Sequence, residues 1–349
     1  MPENVKITED FIRELPKTEL HCHLDGSLRL DTVIELAERN KVELPSNDRT
    51  VLQKMICVAD QVGSLPNYLK IFDITLKVLQ TPESLTRAAY ELAEDCSKEN
   101  VIYLEVRYSP ILHTTHGMTT MESVDAVLKG LKQAEQDFKI RTGIIICGIR
   151  SISPEVSYRL AELAVAFKNR GVVGFDLAGV EENFPAKDHR EAFNLILQNN
   201  INTTLHAGES FGPESIHQAV HYCGAHRIGH GVRLKEDGDL LNYINDHRIA
   251  LEMCLTSNVH TGSVKNFESH PFKFYYEYGL RVTLNTDNRL ISNTNLTKEF
   301  MLTHQYFNFG IREFKEIIIG GLKSAFLPHR TRTELIKRIA EQLDTYVSV

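Results

Sequence analysis

The chain has no block of like charge. Its 39 Lys and Arg and 46 Asp and Glu are mixed along 349 residues, for a formal net charge of −7. A nucleic-acid partner held by electrostatics needs a basic stripe, and none is present. No apolar run approaches the roughly 18 residues that argue for a membrane span. The opening Met1–Asp10 is polar and acidic, without the basic start and apolar centre of a secretion signal. The six cysteines (Cys22, Cys57, Cys96, Cys147, Cys223 and Cys254) are scattered, and no Cys-x-x-Cys occurs. They read as reduced, mostly buried thiols of a cytoplasmic protein. No repeat, low-complexity tract or Pro/Gly-rich linker divides the chain, so residues 1–349 are expected to form one domain. Hydrophobic residues make up 42 % of the sequence, enough for a large core.

Strand-like and helix-like segments alternate. Strands are predicted at Thr18–Leu24, Ile102–Arg107, Gly143–Ile149, Val172–Leu177, Asn202–His206, Arg227–Gly229, Ile249–Cys254 and Arg281–Asn285. Several, such as Ile144–Cys147 and Val172–Phe175, are apolar on both faces, as in parallel sheets covered on both sides. Helix starts are predicted at Thr81-Pro82, Ser153-Pro154 and Gly212-Pro213, and at the capping-box pairs Thr119/Glu122 and Thr331/Glu334. The second box precedes a helix over Leu335–Leu343. Eight strands alternating with helices predict an α/β fold, a (β/α)8 TIM barrel. An open doubly wound sheet is the alternative, lowered because no Gly-x-Gly-x-x-Gly follows any strand. Leu28–Asn100 is too long for one connecting helix and predicts additional helices over the C-terminal mouth.

Four polar clusters stand at strand ends. In Leu20-His21-Cys22-His23-Leu24-Asp25-Gly26, the two histidines share one face of a strand. The others are His206-Ala207-Gly208-Glu209, Gly229-His230-Gly231 and Asn285-Thr286-Asp287-Asn288. In a barrel these ends converge. His21, His23, His206 and Asp287 would suit a borderline metal such as zinc, with room for a water. Zinc lowers the pKa of bound water to about 7. Glu209 would reach the site as a proton-transfer group, and His230, expected on an exposed loop, could orient the hydroxide. Each also has a plain structural reading. Glu209 could be a charge at a helix N-terminus, His230 a satisfied loop histidine, and Asp287 a cap.

The motifs His21–Ser27, Asp176-Leu177-Ala178-Gly179, His206–Glu209, Gly229–Gly231 and Asn285–Asp287 together resemble adenosine deaminases of the metal-dependent hydrolase superfamily, in the same order and at similar spacings. The resemblance covers nearly the whole chain. It implies one Zn2+ per chain, held by His21, His23, His206 and Asp287. It implies hydrolytic deamination of adenosine to inosine and ammonia, and of 2′-deoxyadenosine to its deoxy counterpart, in purine salvage. Zinc-bound hydroxide would attack C6 while Glu209 protonates N1 and His230 positions the hydroxide. Asp25 would bind the ribose 5′-hydroxyl, His23 would also lie against the substrate, and Gly179 would offer its backbone amide to the ring. The partner is then a small nucleoside; oligomeric state is not legible.

Asn288 departs from an Asp found in animal members. An Asn amide can donate to a purine nitrogen without first being protonated, so Asn288 stays a substrate contact. Leu255 departs from a proline common in relatives. Tyr68 and Phe72, spaced i,i+4, resemble lid aromatics, although ordinary helix packing explains the spacing equally. Three rivals remain. An adenine deaminase would tend to carry Glu where Asp25 stands. A two-metal hydrolase would need a lysine near Val173–Gly179. A barrel without activity could dispense with Glu209.

Overall fold

The computed structural model describes residues 6–59 and 64–347. Eight strands form at the expected places: β1 (Lys17–His23), β2 (Val101–Tyr108), β3 (Arg141–Ile149), β4 (Val172–Ala178), β5 (Asn202–Ala207), β6 (Arg227–His230), β7 (Ala250–Met253) and β8 (Val282–Leu284). Each pairs in parallel with the next. The ring closes just beyond β8. There His23 N donates to Asp287 O at 2.7 Å and Asp287 N donates to His21 O at 2.9 Å. This is the (β/α)8 barrel expected. Ile144, Ile145 and Ile146 of β3 are fully buried, as a strand covered on both faces requires.

The helix starts behave largely as their sequences predict. Thr119 and Glu122 form a complete capping box on Thr120–Asp137, and Thr81 caps Pro82–Lys98 through Ser84 N at 3.2 Å. Pro154 and Pro213 occupy first helical positions. The last helix differs. It runs His329–Val347, so Thr331 lies inside it and caps nothing. Arg332 N already donates to Pro328 O at 2.9 Å, and Glu334 is engaged by Arg330 Nε at 3.0 Å. Between β1 and β2 lie five helices. Two of them, Leu65–Leu69 and Phe72–Val78, supply residues that wall the mouth cavity. Tyr68 and Phe72 therefore sit on two successive short helices, not on one.

The barrel interior is charged where apolar layers would be usual. Arg107 Nη1 lies 3.0 Å from Asp176 Oδ2, and its Nη2 lies 2.7 Å from Glu252 Oε2. Arg227 pairs with both Glu105 and Glu252. All five side chains are essentially fully buried. Removing one partner of such a network leaves an uncompensated buried charge, at a cost of roughly 3–5 kcal/mol.

Among the described residues no helix is long and apolar enough to cross a membrane. Residues 1–5 of the stretch read for a secretion signal lie outside the described residues. Five cysteines are buried and Cys57 is half-buried.

Candidate active site

The C-terminal ends of β1 and β5 and the turn after β8 bring together His21, His23, His206 and Asp287. Their ligating atoms all lie within 4.8 Å of one another. His206 Nε2 is 3.1 Å from Nε2 of both His21 and His23, and Asp287 Oδ1 is 3.4 Å from the same two nitrogens. Carboxylates behind the rings set this arrangement. His21 Nδ1 meets Glu252 Oε2 at 2.9 Å, and His206 Nδ1 meets Asp176 Oδ2 at 3.0 Å. A carboxylate accepts only, so each Nδ1 carries a proton, and whenever the ring is neutral its Nε2 presents a lone pair inward. Lone pairs aimed at one another around a carboxylate are a poor mutual contact and a good cation site. Three imidazoles and one carboxylate at this spacing fit a borderline dication.

Protonation states agree. Burial drives His23 well below the usual imidazole range and also lowers His206, leaving neutral, ligand-competent rings. His21 is the exception. Burial and Arg107 pull it down, but the Asp287 and Glu252 carboxylates outweigh them and hold it up. A proton there answers the negative charge that a dication would answer.

Glu209 and His230 flank the cluster, with Glu209 Oε2 3.6 Å from His230 Nε2. His230 is not on an exposed loop. It is the last residue of β6, 1 % exposed, with a positive φ of 64° that turns the chain out of the strand. Its flanking glycines allow close approach: a Cβ on Gly229 would meet His21 Cε1 at 3.0 Å. Glu209 is buried and caps no helix, since the next one begins at Pro213. Burial, then the charges of Asp287 and Glu181, push its carboxyl well above the usual range. That shift favours the protonated form, which can donate. Thr261 Oγ1 donates to Glu209 Oε1 at 3.2 Å. The Glu181 carboxylate accepts from the backbone amides of Gly208, Glu209 and Ser210, each at 2.8 Å.

These groups face a cavity of ≈ 220 Å³. His23, Asp25, Gly179, His206, Glu209, His230, Asp287 and Asn288 all line it, so the residues singled out in the sequence share one chamber except His21, which lies just behind. Tyr68 and Phe72, ring centroids 6.3 Å apart, add aromatic wall. Three polar atoms on the wall are buried with no protein partner: Asp25 Oδ1, Ser109 Oγ and Asn288 Oδ1. Buried polar atoms are normally satisfied, so these three await a ligand rich in hydroxyl or amide-like groups. Among the described residues, no lysine or arginine lines the cavity. Asn288 is held against the β1 turn, where a Cβ on Gly26 would lie 1.9 Å from Asn288 Oδ1.

Several participants were not singled out from sequence: Glu252, Arg107, Glu181, Ser257, Asn258 and Thr261, with Asp176 known only as part of a motif. One signal was available. Glu19-x-His21-x-His23 and Glu105-x-Arg107-x-Ser109 place polar groups on one face of otherwise apolar strands. Ser257, Asn258 and Thr261 carry no such pattern. They belong to or adjoin the short helix Leu255–His260, whose first residue, Leu255, is fully buried. Ser257 Oγ donates to Asp287 Oδ2 at 2.5 Å.

A closed parallel barrel with an imidazole–carboxylate cluster at its C-terminal mouth is the arrangement that a metal-assisted hydrolase requires. A profile of the adenosine deaminase family matches residues 16–342, and the chain belongs to that family. The adenosine deaminase of Mycobacterium ulcerans is 40 % identical, covering 95 % of this chain and 96 % of that protein. A probable adenosine deaminase of Dictyostelium discoideum is 41 % identical over 93 % of this chain, which spans only 42 % of that relative's length. Among solved structures, an N6-mAMP deaminase of Arabidopsis matches with TM-score 0.85 and 28 % identity, over 96 % of this chain and 99 % of that one. An amidohydrolase of Burkholderia ambifaria with bound Zn matches with TM-score 0.91 and 23 % identity, over 99 % and 96 %.

Proposed function

We propose that this chain hydrolytically deaminates adenosine to inosine, and 2′-deoxyadenosine to 2′-deoxyinosine, releasing ammonia, as a single-domain cytoplasmic enzyme of purine salvage, with one zinc ion per chain. One observation carries the reading. A buried Glu209, its carboxyl pushed upward by burial, stands beside His230 at the edge of a cluster of three histidines and one aspartate, in a chamber lined by Asp25 and Asn288.

His21, His23, His206 and Asp287 would hold the ion. A bound zinc supplies a hydroxide equivalent near neutral pH by acidifying water. The chain's own residues do the rest. Gly179 offers its backbone N–H to the ring and Asn288 its amide to a purine nitrogen, which orients C6 toward the cluster. His230 holds the attacking oxygen. Glu209 delivers its proton to N1 as C6 gains oxygen, so negative charge does not build on the ring. The C6 hydroxyl then gives up its proton, the departing amino group takes one up, the C6–N bond breaks to release ammonia, and C6=O forms to give inosine. Asp25 accepts from the ribose 5′-hydroxyl, and His23 packs against the sugar. A 5′-phosphate is disfavoured because the chamber wall carries acidic groups and no cation. Asp25 itself is pushed up to about 7 by burial, so its charge is present above neutrality and fades below it.

Steady-state turnover of adenosine, 2′-deoxyadenosine, adenine and adenosine monophosphate tests this. Preference for the two nucleosides is expected. Preference for adenine or for the monophosphate overturns it.

A further inference from the structure

Behind His230 runs a chain of hydrogen bonds whose direction is set at its far end. Phe272 N lies 3.1 Å from His270 Nδ1. A backbone amide can only donate, so His270 Nδ1 is the acceptor and, in a neutral ring, Nε2 carries the proton. The ring is neutral because burial, with a smaller contribution from the Lys235 charge, lowers its pKa to about 3. His270 Nε2 lies 3.2 Å from Asn258 Oδ1, which accepts. The same amide then turns its NH2 outward, and Nδ2 lies 3.0 Å from His230 Nδ1. An amide nitrogen has no lone pair to offer, so His230 Nδ1 must accept. A ring nitrogen that accepts carries no proton, so the single proton of the His230 ring is left on Nε2. That nitrogen faces Glu209 and the cluster.

We infer that Asn258 and His270 are positioning residues that hold His230 in the tautomer with its proton on Nε2, making it a donor toward the reacting oxygen. The inference rests on the reading above, in which His230 holds that oxygen. Nothing in the sequence marks either residue: Asn258 lies in the turn of helix after β7, and His270 just before Phe272–Tyr278. All three side chains, Asn258, His270 and His230, are buried, so water does not compete to reset the tautomer. The alternative is a packing network indifferent to proton position. It predicts the same distances but no dependence on donor identity.

The test is the ¹⁵N spectrum of histidine-labelled protein loaded with one equivalent of Zn2+, with His230 assigned by difference against H230A. Wild type is expected to show His230 protonated at Nε2. In N258D an acceptor replaces the donor at nearly constant volume, so the proton should appear on Nδ1, with kcat falling about 10²–10³-fold and KM changing less than about threefold. His270→Gln keeps a donor for Asn258 Oδ1 and should keep most of the activity. His270→Leu removes it and should populate both tautomers. A wild-type spectrum with the proton on Nδ1 overturns the inference, as does an N258D spectrum that stays on Nε2. The wild-type spectrum stands even if a variant does not fold. It requires no turnover, so failure of the deamination reading appears separately, as wild-type protein that leaves adenosine untouched.

Discussion

Glu181 holds Glu209 twice over. Its carboxylate accepts the Glu209 backbone amide at 2.8 Å, and its charge helps to raise the pKa of the Glu209 side chain. One acid thus places another and helps to keep it protonated. Replacing Glu181 with Gln should relax both effects. A raised carboxyl is neutral below its folded pKa and loses its proton as pH rises through it. Activity carried by neutral Glu209 therefore falls on the alkaline side. In E181Q that limb of the kcat profile should move to lower pH. An unmoved limb would count against Glu181 as a cause.

Glu209→Gln keeps shape and burial but has no acidic proton to deliver. We expect kcat for adenosine to fall on the order of 10²–10⁴-fold. Zinc content by elemental analysis should stay at the wild-type value, because Glu209 is not in the four-ligand cluster. Undiminished activity with zinc retained would remove it from the mechanism.

Asp176 orients His206 from behind, Oδ2 to Nδ1 at 3.0 Å. Asn at this position can turn its NH2 toward Nδ1 and force the ring proton onto the ligating nitrogen. D176N should weaken zinc affinity about 10- to 100-fold, read by competition with a chromogenic chelator. The melting temperature of the metal-free protein should also fall, because Arg107 loses one of its two carboxylates. Zinc affinity equal to wild type would show that the contact does not act on the ligand.

Gly26 and Asn288 are in such close contact that a methyl group at residue 26 displaces the amide. Gly26→Ala should raise KM for adenosine several-fold, with stability lower by about 1–3 kcal/mol. If KM is unchanged, Asn288 does not touch the substrate from this position.

Much of this was legible in sequence because the barrel brings strand ends together. His21, His23, His206, Glu209 and Asp287 each sit within three residues of a strand terminus, so reading eight strands correctly was enough to gather them. The capping box at Thr119 was legible because it is a local contact. The box at Thr331 failed because the Pro328 carbonyl starts that helix earlier. The burial of His230 was hidden because a histidine between two glycines looks like loop chemistry, whereas here the positive φ occurs at the very end of a strand. The contacts Arg107–Glu252 and Asn258–His230 join residues 145 and 28 positions apart. No local pattern encodes such pairs; only the closed sheet makes them neighbours.

The helix Leu255–His260 and the residue following it touch three different parts of the site: Ser257 on Asp287, Asn258 on His230 and Thr261 on Glu209. The proposed ligand, oxygen-positioning ring and proton donor, which stand on or after three different strands, are therefore each braced by a side chain from one short stretch of chain. A substitution that moves this helix therefore reaches all three groups at once, although none of them lies on it.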